Sequence, residues 1–271
     1  MSDRVMVAMS GGVDSSVALL KILEEGYDAV GITMKLWDYQ TVGGKSESGN
    51  SCCGIEEITG AKMVCDQLGV PHYTLDFTDV FKTQVVDNFA SEYLSGRTPN
   101  PCVRCNSYVK WDAFIDQANQ MGIKYIATGH YAKIENIGDQ YFIKKGKDKT
   151  KDQSYVLWGI PSDTLERTIF PLGNLTKMEV REIAKKNELA TANAAESMDI
   201  CFVSDNNYHR FLSKYKPEEM NSIKKGTIEE DGKPVGTHSG YTNYTIGQRK
   251  GLGLSNPEPR YVNAINSGTN T

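Results

Sequence analysis

No stretch of this 271-residue chain approaches the roughly 18 consecutive apolar residues that a membrane-spanning helix needs. The opening "MSDRVMVAM" also lacks the basic flank and long apolar core of an export signal. Both absences point to a cytoplasmic protein with no membrane partner. Without export, the six cysteines (Cys52, Cys53, Cys65, Cys102, Cys105 and Cys201) argue for thiol chemistry or metal binding, and against a structural disulfide framework. There is no internal repeat. Two phosphate-binding signatures are missing as well: no Gly-Lys-Ser/Thr closes the turn after the first strand in the Walker manner, and the dinucleotide fingerprint Gly-x-Gly-x-x-Gly is absent.

With 39% hydrophobic and 24% charged residues, the chain has ordinary globular usage and is long enough for one large or two unequal domains. The net charge of −4 argues against binding nucleic acid by bulk electrostatics alone. The charge is uneven, however. Residues 206–271 carry nine Lys/Arg and six Asp/Glu, a net of +3, which leaves −7 for residues 1–205. A polyanion is therefore expected to be met locally, partly by the C-terminal portion.

The first half alternates short apolar runs with helical patterns. Arg4–Met9, Ala29–Met34, Pro71–Phe77 and Tyr125–His130 read as strands. Ser15–Glu25, Glu56–Leu68, Val80–Leu94 and Tyr108–Met121 read as helices, three of them closing on Gly26, Gly69 and Gly122. This alternation implies an α/β fold, a parallel sheet with helices on both faces. Tyr39–Gly54 reads as a polar, mobile loop, Ala132–Gly146 as a hairpin around Gly138-Asp139, and Thr176 with Glu179 as a capping box opening a later helix. From about Asn206 the chain turns rich in Gly and Thr, with a turn at Asp231-Gly232. The expected division is residues 1–205 as the catalytic domain and 206–271 as a smaller, mostly-β domain.

What is present instead of the missing loops is "VAMSGGVDSS", Val7–Ser16. A glycine-rich turn between a strand and a helix points backbone N–H groups at one spot, and the helix N-terminus adds partial positive charge. The result is an anion site. Gly11 and Gly12 allow close approach, Ser10, Ser15 and Ser16 offer hydroxyls, and Asp14 positions either a metal ion or the first helical turn. The plainer reading is an N-capped tight turn.

"SGGVDSS" resembles the pyrophosphate loop of the ATP-pyrophosphatase superfamily, whose members adenylate a substrate and release pyrophosphate. "GRTPNPCVRCN" (Gly96–Asn106) narrows the choice. Its two prolines predict an extended turn, with Cys102 and Cys105 forming a redox couple, half a metal site, or a nucleophile with a neighbour. "AESMDICFVS" (Ala195–Ser204) adds Cys201. Together with "GITMKLWD", "YIATGHYAK", "KDQSYVLW" and "TIGQRKGLGL", these segments resemble the bacterial and organellar tRNA-specific 2-thiouridylase family along nearly the whole chain.

That resemblance implies an adenine nucleotide alpha hydrolase-like (Rossmann-like) domain and an enzyme that replaces O2 of the wobble uridine with sulfur, using ATP and Mg²⁺. Carried over by position, Ala8, Met9, Ser10, Gly11, Gly12, Val13, Asp14, Ser15, Met34 and Gly129 would contact ATP. Cys105 would be the nucleophile and Cys201 the persulfide carrier. Asn100, Pro101, Cys102, His130, Lys151, Asp152 and Gln153 would lie near the target base or tRNA, and Gln248, Arg249 and Lys250 would hold tRNA from the small domain. The implied partners are tRNAs reading Lys, Glu and Gln codons and a sulfur donor, either a cysteine desulfurase or a relay protein. The family continues into a C-terminal β-barrel, which this sequence lacks.

The chain departs from many members in carrying Cys102 where they carry Asp. Three thiolates also suit a [4Fe–4S] cluster on Cys102, Cys105 and Cys201, so two sulfur mechanisms stay open. Cys65 reads as core, and Cys52-Cys53 as accessory thiols at most. Two other functions compete: a different ATP-pyrophosphatase ligase, which would need no cysteine triad, and a nucleotide-binding module without turnover, which would bind ATP and release no AMP.

Overall fold

The computed structural model describes residues 3–38, 55–195, 200–203, 205–254 and 258–271. The expected loop Tyr39–Gly54 with Cys52 and Cys53, and the stretch 196–199 ahead of Cys201, lie outside the described residues. Among the described residues, no helix is long and apolar enough to cross a membrane. The chain divides into two compact units, residues 1–84 with 102–206 and residues 85–101 with 207–271. Residues 85–101 group with the second unit, whose other part begins at Asn207.

In the first unit, β1 (Arg4–Met9) leads into α1 (Val13–Glu24), β2 (Asp28–Lys35), α2 (Ile55–Gln67) and β3 (His72–Asp76). β4 (Tyr125–Ala127) and β7 (Thr168–Ile169) complete a five-stranded sheet of order β3-β2-β1-β4-β7, parallel throughout. A hairpin of β5 (Ala132–Ile137) and β6 (Gln140–Lys145) turns at Gly138-Asp139. The sheet works because β1 is apolar on both faces, as a central parallel strand requires. Val5, Val7 and Met9 pack with Leu19 and Ile22 of α1 and with Ala61, Val64 and Cys65 of α2. The opposite side of α1, with Val13, Val17 and Leu20, packs on Val180 and Ala184 of a later helix, Lys177–Lys186. Each fully buried Leu or Ile contributes about 1.5–3 kcal/mol. Cys65 belongs to this core: a Cβ on Gly31 of β2 would meet its Sγ at 2.5 Å, so glycine makes room for α2. Burial, then the charge of Asp66, pushes the Cys65 thiol up to about 11.

Three sequence expectations are corrected. Tyr125–His130 is strand only to Ala127, after which Thr128–His130 leaves the sheet. The run Gly96–Asn106 is not extended throughout: α5 (Pro101–Arg104) starts at Pro101 and continues as π-helical Cys105–Ala113 and α6 (Phe114–Gln120). Proline is tolerated at the first helical position, where its missing N–H has no partner to lose. Thirdly, helices precede the short strands expected of the C-terminal portion.

The second unit holds α4 (Asp87–Leu94), α8 (Tyr208–Tyr215), α9 (Pro217–Ser222) and a hairpin of β8 (Gly226–Glu230) and β9 (Lys233–His238). Tyr93 stacks on Tyr208 at 4.6 Å, and Phe89 meets Phe211 edge-on at 6.0 Å. Tyr215 donates to Asp87 at 2.6 Å, pinning α8 to α4. Asp231 and Gly232 both take positive φ, 51° and 74°, as a tight hairpin turn demands.

Candidate active site

The strand order places a topological switch between β1 and β4: the chain winds outward through β2 and β3, then returns to start β4 on the other side of β1. In open α/β sheets, ligands collect at the carboxyl ends of strands at such a point. Ser10, Gly11 and Gly12 follow β1 there, and Thr128, Gly129 and His130 follow β4. The two segments touch. A Cβ on Gly129 would sit 3.0 Å from Asp14 C and Ser15 N, a tight approach that glycine relieves where the second loop lies on the start of α1. Gly11 has φ +70°, and a Cβ there would lie 2.3 Å from Glu57 O. No side chain caps α1, whose N-cap is Gly12. Its first-turn N–H groups are those an anion would use.

The loop hydroxyls divide in role. Ser15 Oγ donates to Gly12 O at 3.0 Å and accepts from the Ser10 N–H and hydroxyl, both at 3.2 Å. Ser16 is fully buried, donating to Gly12 O at 2.9 Å and accepting from Thr191 at 2.7 Å. Ser15 and Ser16 thus shape the loop, and Ser10 is the exposed one. Ala8 and Met9 end β1, and Met34 lies buried near the end of β2.

Asp14 has two partners from other segments. Lys177 Nζ lies 2.7 Å from both carboxylate oxygens, and the Tyr131 hydroxyl donates to Oδ1 at 2.7 Å. The carboxylate is committed to these partners and ties the first turn of α1 to Lys177, the first residue of α7 (Lys177–Lys186). Asp148 in turn accepts the Lys177 backbone N–H at 2.9 Å. That bond, followed by those from Thr150, holds its carboxyl down to about 2. Lys177 escaped the sequence reading because its partner is 163 residues away. The capping box beside it, with Glu179 N–H donating to Thr176 Oγ1 at 3.3 Å and Thr176 N–H to Glu179 at 2.6 Å, was the local signal.

The thiols occupy two segments of the same unit. Cys102 and Cys105 fall three apart on one helical run, Cys102 exposed and Cys105 buried. Asn106 donates to Val156 O at 3.0 Å and fixes this run against segment 154–160. Cys201 is half-buried, next to Phe202, whose ring packs edge-on against Trp37 and Phe81 at 6.3 and 5.8 Å. Among the described residues, no three His, Cys, Asp or Glu side chains group as metal ligands.

His130 is interior, its Nδ1 2.7 Å from Thr128 Oγ1 and its ring between Trp111 and Phe170. Burial, aided by the Lys110 charge, drives its pKa well below the ordinary value, so the ring is neutral. Asp152 is turned inward, accepting from Gly146 N–H and the Ser154 hydroxyl at 2.9 and 2.8 Å. Gln153 pairs with the Tyr131 backbone: its N–H donates to Tyr131 O at 3.1 Å, and its Oε1 accepts the Tyr131 N–H at 3.0 Å. Lys151 lies half-buried in the same turn. In the second unit, Gln248 accepts the Thr245 N–H at 3.0 Å and closes its own turn, while Arg249 and Lys250 are exposed. Asn100 and Pro101 lead into α5.

A nucleotide loop followed by a thiol-bearing helix agrees with what the chain is similar to. Residues 3–205 match the model of the tRNA methyl transferase HUP domain, and residues 209–271 match its PRC-barrel domain. The tRNA-specific 2-thiouridylase of Amoebophilus asiaticus is 49% identical over 98% of this chain and 71% of its own length. The chain belongs to the tRNA-specific 2-thiouridylase family. The 2-thiouridylases of Cytophaga hutchinsonii, 47% identical over 98% of this chain and 73% of theirs, and of Salinibacter ruber, 48% over 99% and 71%, give the same assignment. The domain models carry methyl transfer in their description, whereas these 2-thiouridylases are named for sulfur insertion.

Proposed function

We propose that the chain synthesises 2-thiouridine at the wobble position of tRNA, with ATP as activator. The observation that carries this reading is membership in the 2-thiouridylase family across both matched regions. ATP enters with Mg²⁺ as its substrate complex. Its phosphates lie on the Ser10–Asp14 loop, where the α1 N-terminus supplies N–H donors and Lys177 adds positive charge. Uridine O2 attacks the α-phosphorus, the bond to pyrophosphate breaks, and the N3 proton is lost. AMP on O2 is then a good leaving group, which oxygen alone is not.

Sulfur arrives as a persulfide on Cys201. The Cys105 thiolate attacks the Cys201 sulfur, forming a Cys105–Cys201 disulfide and releasing hydrosulfide, which adds to C2 and expels AMP. Alternatively, the terminal persulfide sulfur adds to C2 first and Cys105 then breaks the S–S bond. Either order leaves one disulfide, and an external thiol reductant supplies two electrons to restore the enzyme. A reducing cytoplasm suits that cycle. The sulfur donor is a cysteine desulfurase or relay protein, and the acceptors are the tRNAs reading Lys, Glu and Gln codons. Asn100–Cys102 and Lys151–Gln153 serve the target base and tRNA, with Gln248–Lys250 on the second unit.

The test is anaerobic incubation with ATP, Mg²⁺, a persulfide source and unmodified tRNA, followed by digestion and mass detection of 2-thiouridine. The thionucleoside should form and vanish with Cys201→Ala. A product that survives this substitution, or AMP release indifferent to tRNA, would move the chain to another ATP-dependent ligase.

A further inference from the structure

We propose that Tyr155 and Trp158 form a stacking face for unpaired tRNA bases beside Cys105, an inference that rests on the tRNA reading above. Of the chain's three tryptophans, Trp37 and Trp111 are 5% and 0% exposed, whereas Trp158 is 75% exposed and Tyr155 is 65% exposed. Large aromatics left this open are what need explaining on a surface.

Their presentation is built, not incidental. Val156 N–H bonds to Gln153 O at 3.1 Å, Leu157 N–H to Ser154 O at 3.2 Å, and Ile160 N–H to Leu157 O at 3.1 Å. The first two bonds close the short 3₁₀ turn Ser154–Val156, and the third closes a separate turn over Leu157–Ile160. Tyr155 in the 3₁₀ turn and Trp158 in the turn that follows are both exposed, while Val156, Leu157 and Ile160 are 6%, 0% and 7% exposed and anchor the segment inward.

Position gives the face its occupant. Asn106, the neighbour of Cys105, donates to Val156 O at 3.0 Å. A Cβ on Gly159 would meet Ser107 Oγ at 2.4 Å and Val103 Cγ1 at 3.7 Å, so the backbone between the aromatics and Ile160 runs directly on the helical turn that carries Cys105. From that same turn, the Arg104 guanidinium lies 4.5 Å over the partly exposed Tyr108 ring. Residues 1–205 carry a net −7, so bulk attraction for phosphates is not what this part of the chain offers. Aromatic rings hold bases through their π-faces, without needing positive charge, and unpaired loop bases are the ones that can be splayed onto them.

The experiment uses the whole protein and unmodified tRNA. Because the other two tryptophans are buried, tRNA should quench the Trp158 emission, and Trp158→Phe should abolish that quenching while still binding tRNA. Trp158→Ala should weaken tRNA binding by about tenfold, in line with the ~1–3 kcal/mol of one base stack, and Trp158→Tyr should restore most of it. Equal thermal midpoints of the three variants would confirm an unaltered fold. Undiminished tRNA affinity in Trp158→Ala, or an unquenched wild type, overturns the proposal. So does a variant that binds tRNA normally but loses sulfur delivery from a protein donor, since the face would then dock protein. Quenching by tRNA in a protein that makes no 2-thiouridine would leave the stacking face standing and remove the thiolase reading instead.

Discussion

The Tyr131 hydroxyl lies 2.7 Å from Oδ1 of Asp14, joining the segment after β4 to the first turn of α1 across 117 residues. Gln153 holds the Tyr131 backbone from the other side, at 3.0 and 3.1 Å. The nucleotide loop and the 151–153 turn are thus linked through one tyrosine. Tyr131→Phe removes a hydrogen bond to a carboxylate, worth ~1.5–3 kcal/mol when buried and less at this partly exposed site. AMP-release kinetics should show KM for ATP raised several-fold, with the fold intact because Lys177 still holds Asp14. An unchanged KM would mean that the hydroxyl does not set the loop.

Gly11→Ala forces a side chain into φ +70° and against Glu57 O at 2.3 Å. The left-handed backbone costs ~1–2 kcal/mol and the overlap a further ~1–3 kcal/mol. Gly12→Ala meets only Ser10 Oγ at 3.5 Å, an ordinary contact. Urea midpoints should separate the two variants clearly, and equal midpoints would contradict the close approach of α2 to the loop.

The cysteines should sort by environment. Among the four described cysteines, alkylation near pH 8 followed by peptide mass mapping should find Cys102 modified first, being exposed, and Cys65 last, being buried with its thiol pushed up to about 11. Cys65→Ala should retain 2-thiouridine formation, whereas Cys105→Ala and Cys201→Ala should abolish it. Loss of thiolation in a folded Cys65→Ala protein would give that residue a chemical role.

Acid should loosen α7 at its N-terminus. Asp148 is held at about 2 by bonds from Lys177 and Thr150, and Glu179 at about 2 by Lys147 and Thr176. Both folded values lie below the ordinary ones of 3.8 and 4.5, so their stabilisation is present above about pH 4.5 and is lost as pH falls towards 2. Asp148→Asn should lower stability at neutral pH and flatten the fall of stability across that window, measured by denaturant midpoints at successive pH values. An unaltered slope would refute the assignment.

Several features were legible without coordinates because they are local. The apolar run in Arg4–Met9, the glycines of the turn and the capping box at Thr176 are each specified within a few residues, and the structure has a strand, a tight loop and a reciprocal cap there. Tyr208, Phe211, Leu212 and Tyr215 carry helical spacing as well, although the Gly- and Thr-rich run that follows suggested strands for the whole portion. Pro101 misled for a different reason: the same ring that blocks a helix interior starts a helix at its first position, and only the path of the chain decides which applies.

The sequence by itself determined the parallel α/β class, the glycine-rich loop after β1 and the identity of the thiol-bearing segments, since periodicity and turn chemistry are encoded over a few residues. Tertiary structure alone decided that Asp14 is clasped by Lys177 and Tyr131, that His130 is buried and neutral, that Gln153 braces Tyr131, and that Tyr155 and Trp158 stand exposed beside the Cys105 helix. Those outcomes depend on which distant segments the sheet order brings together, and on burial, which no short stretch of sequence specifies.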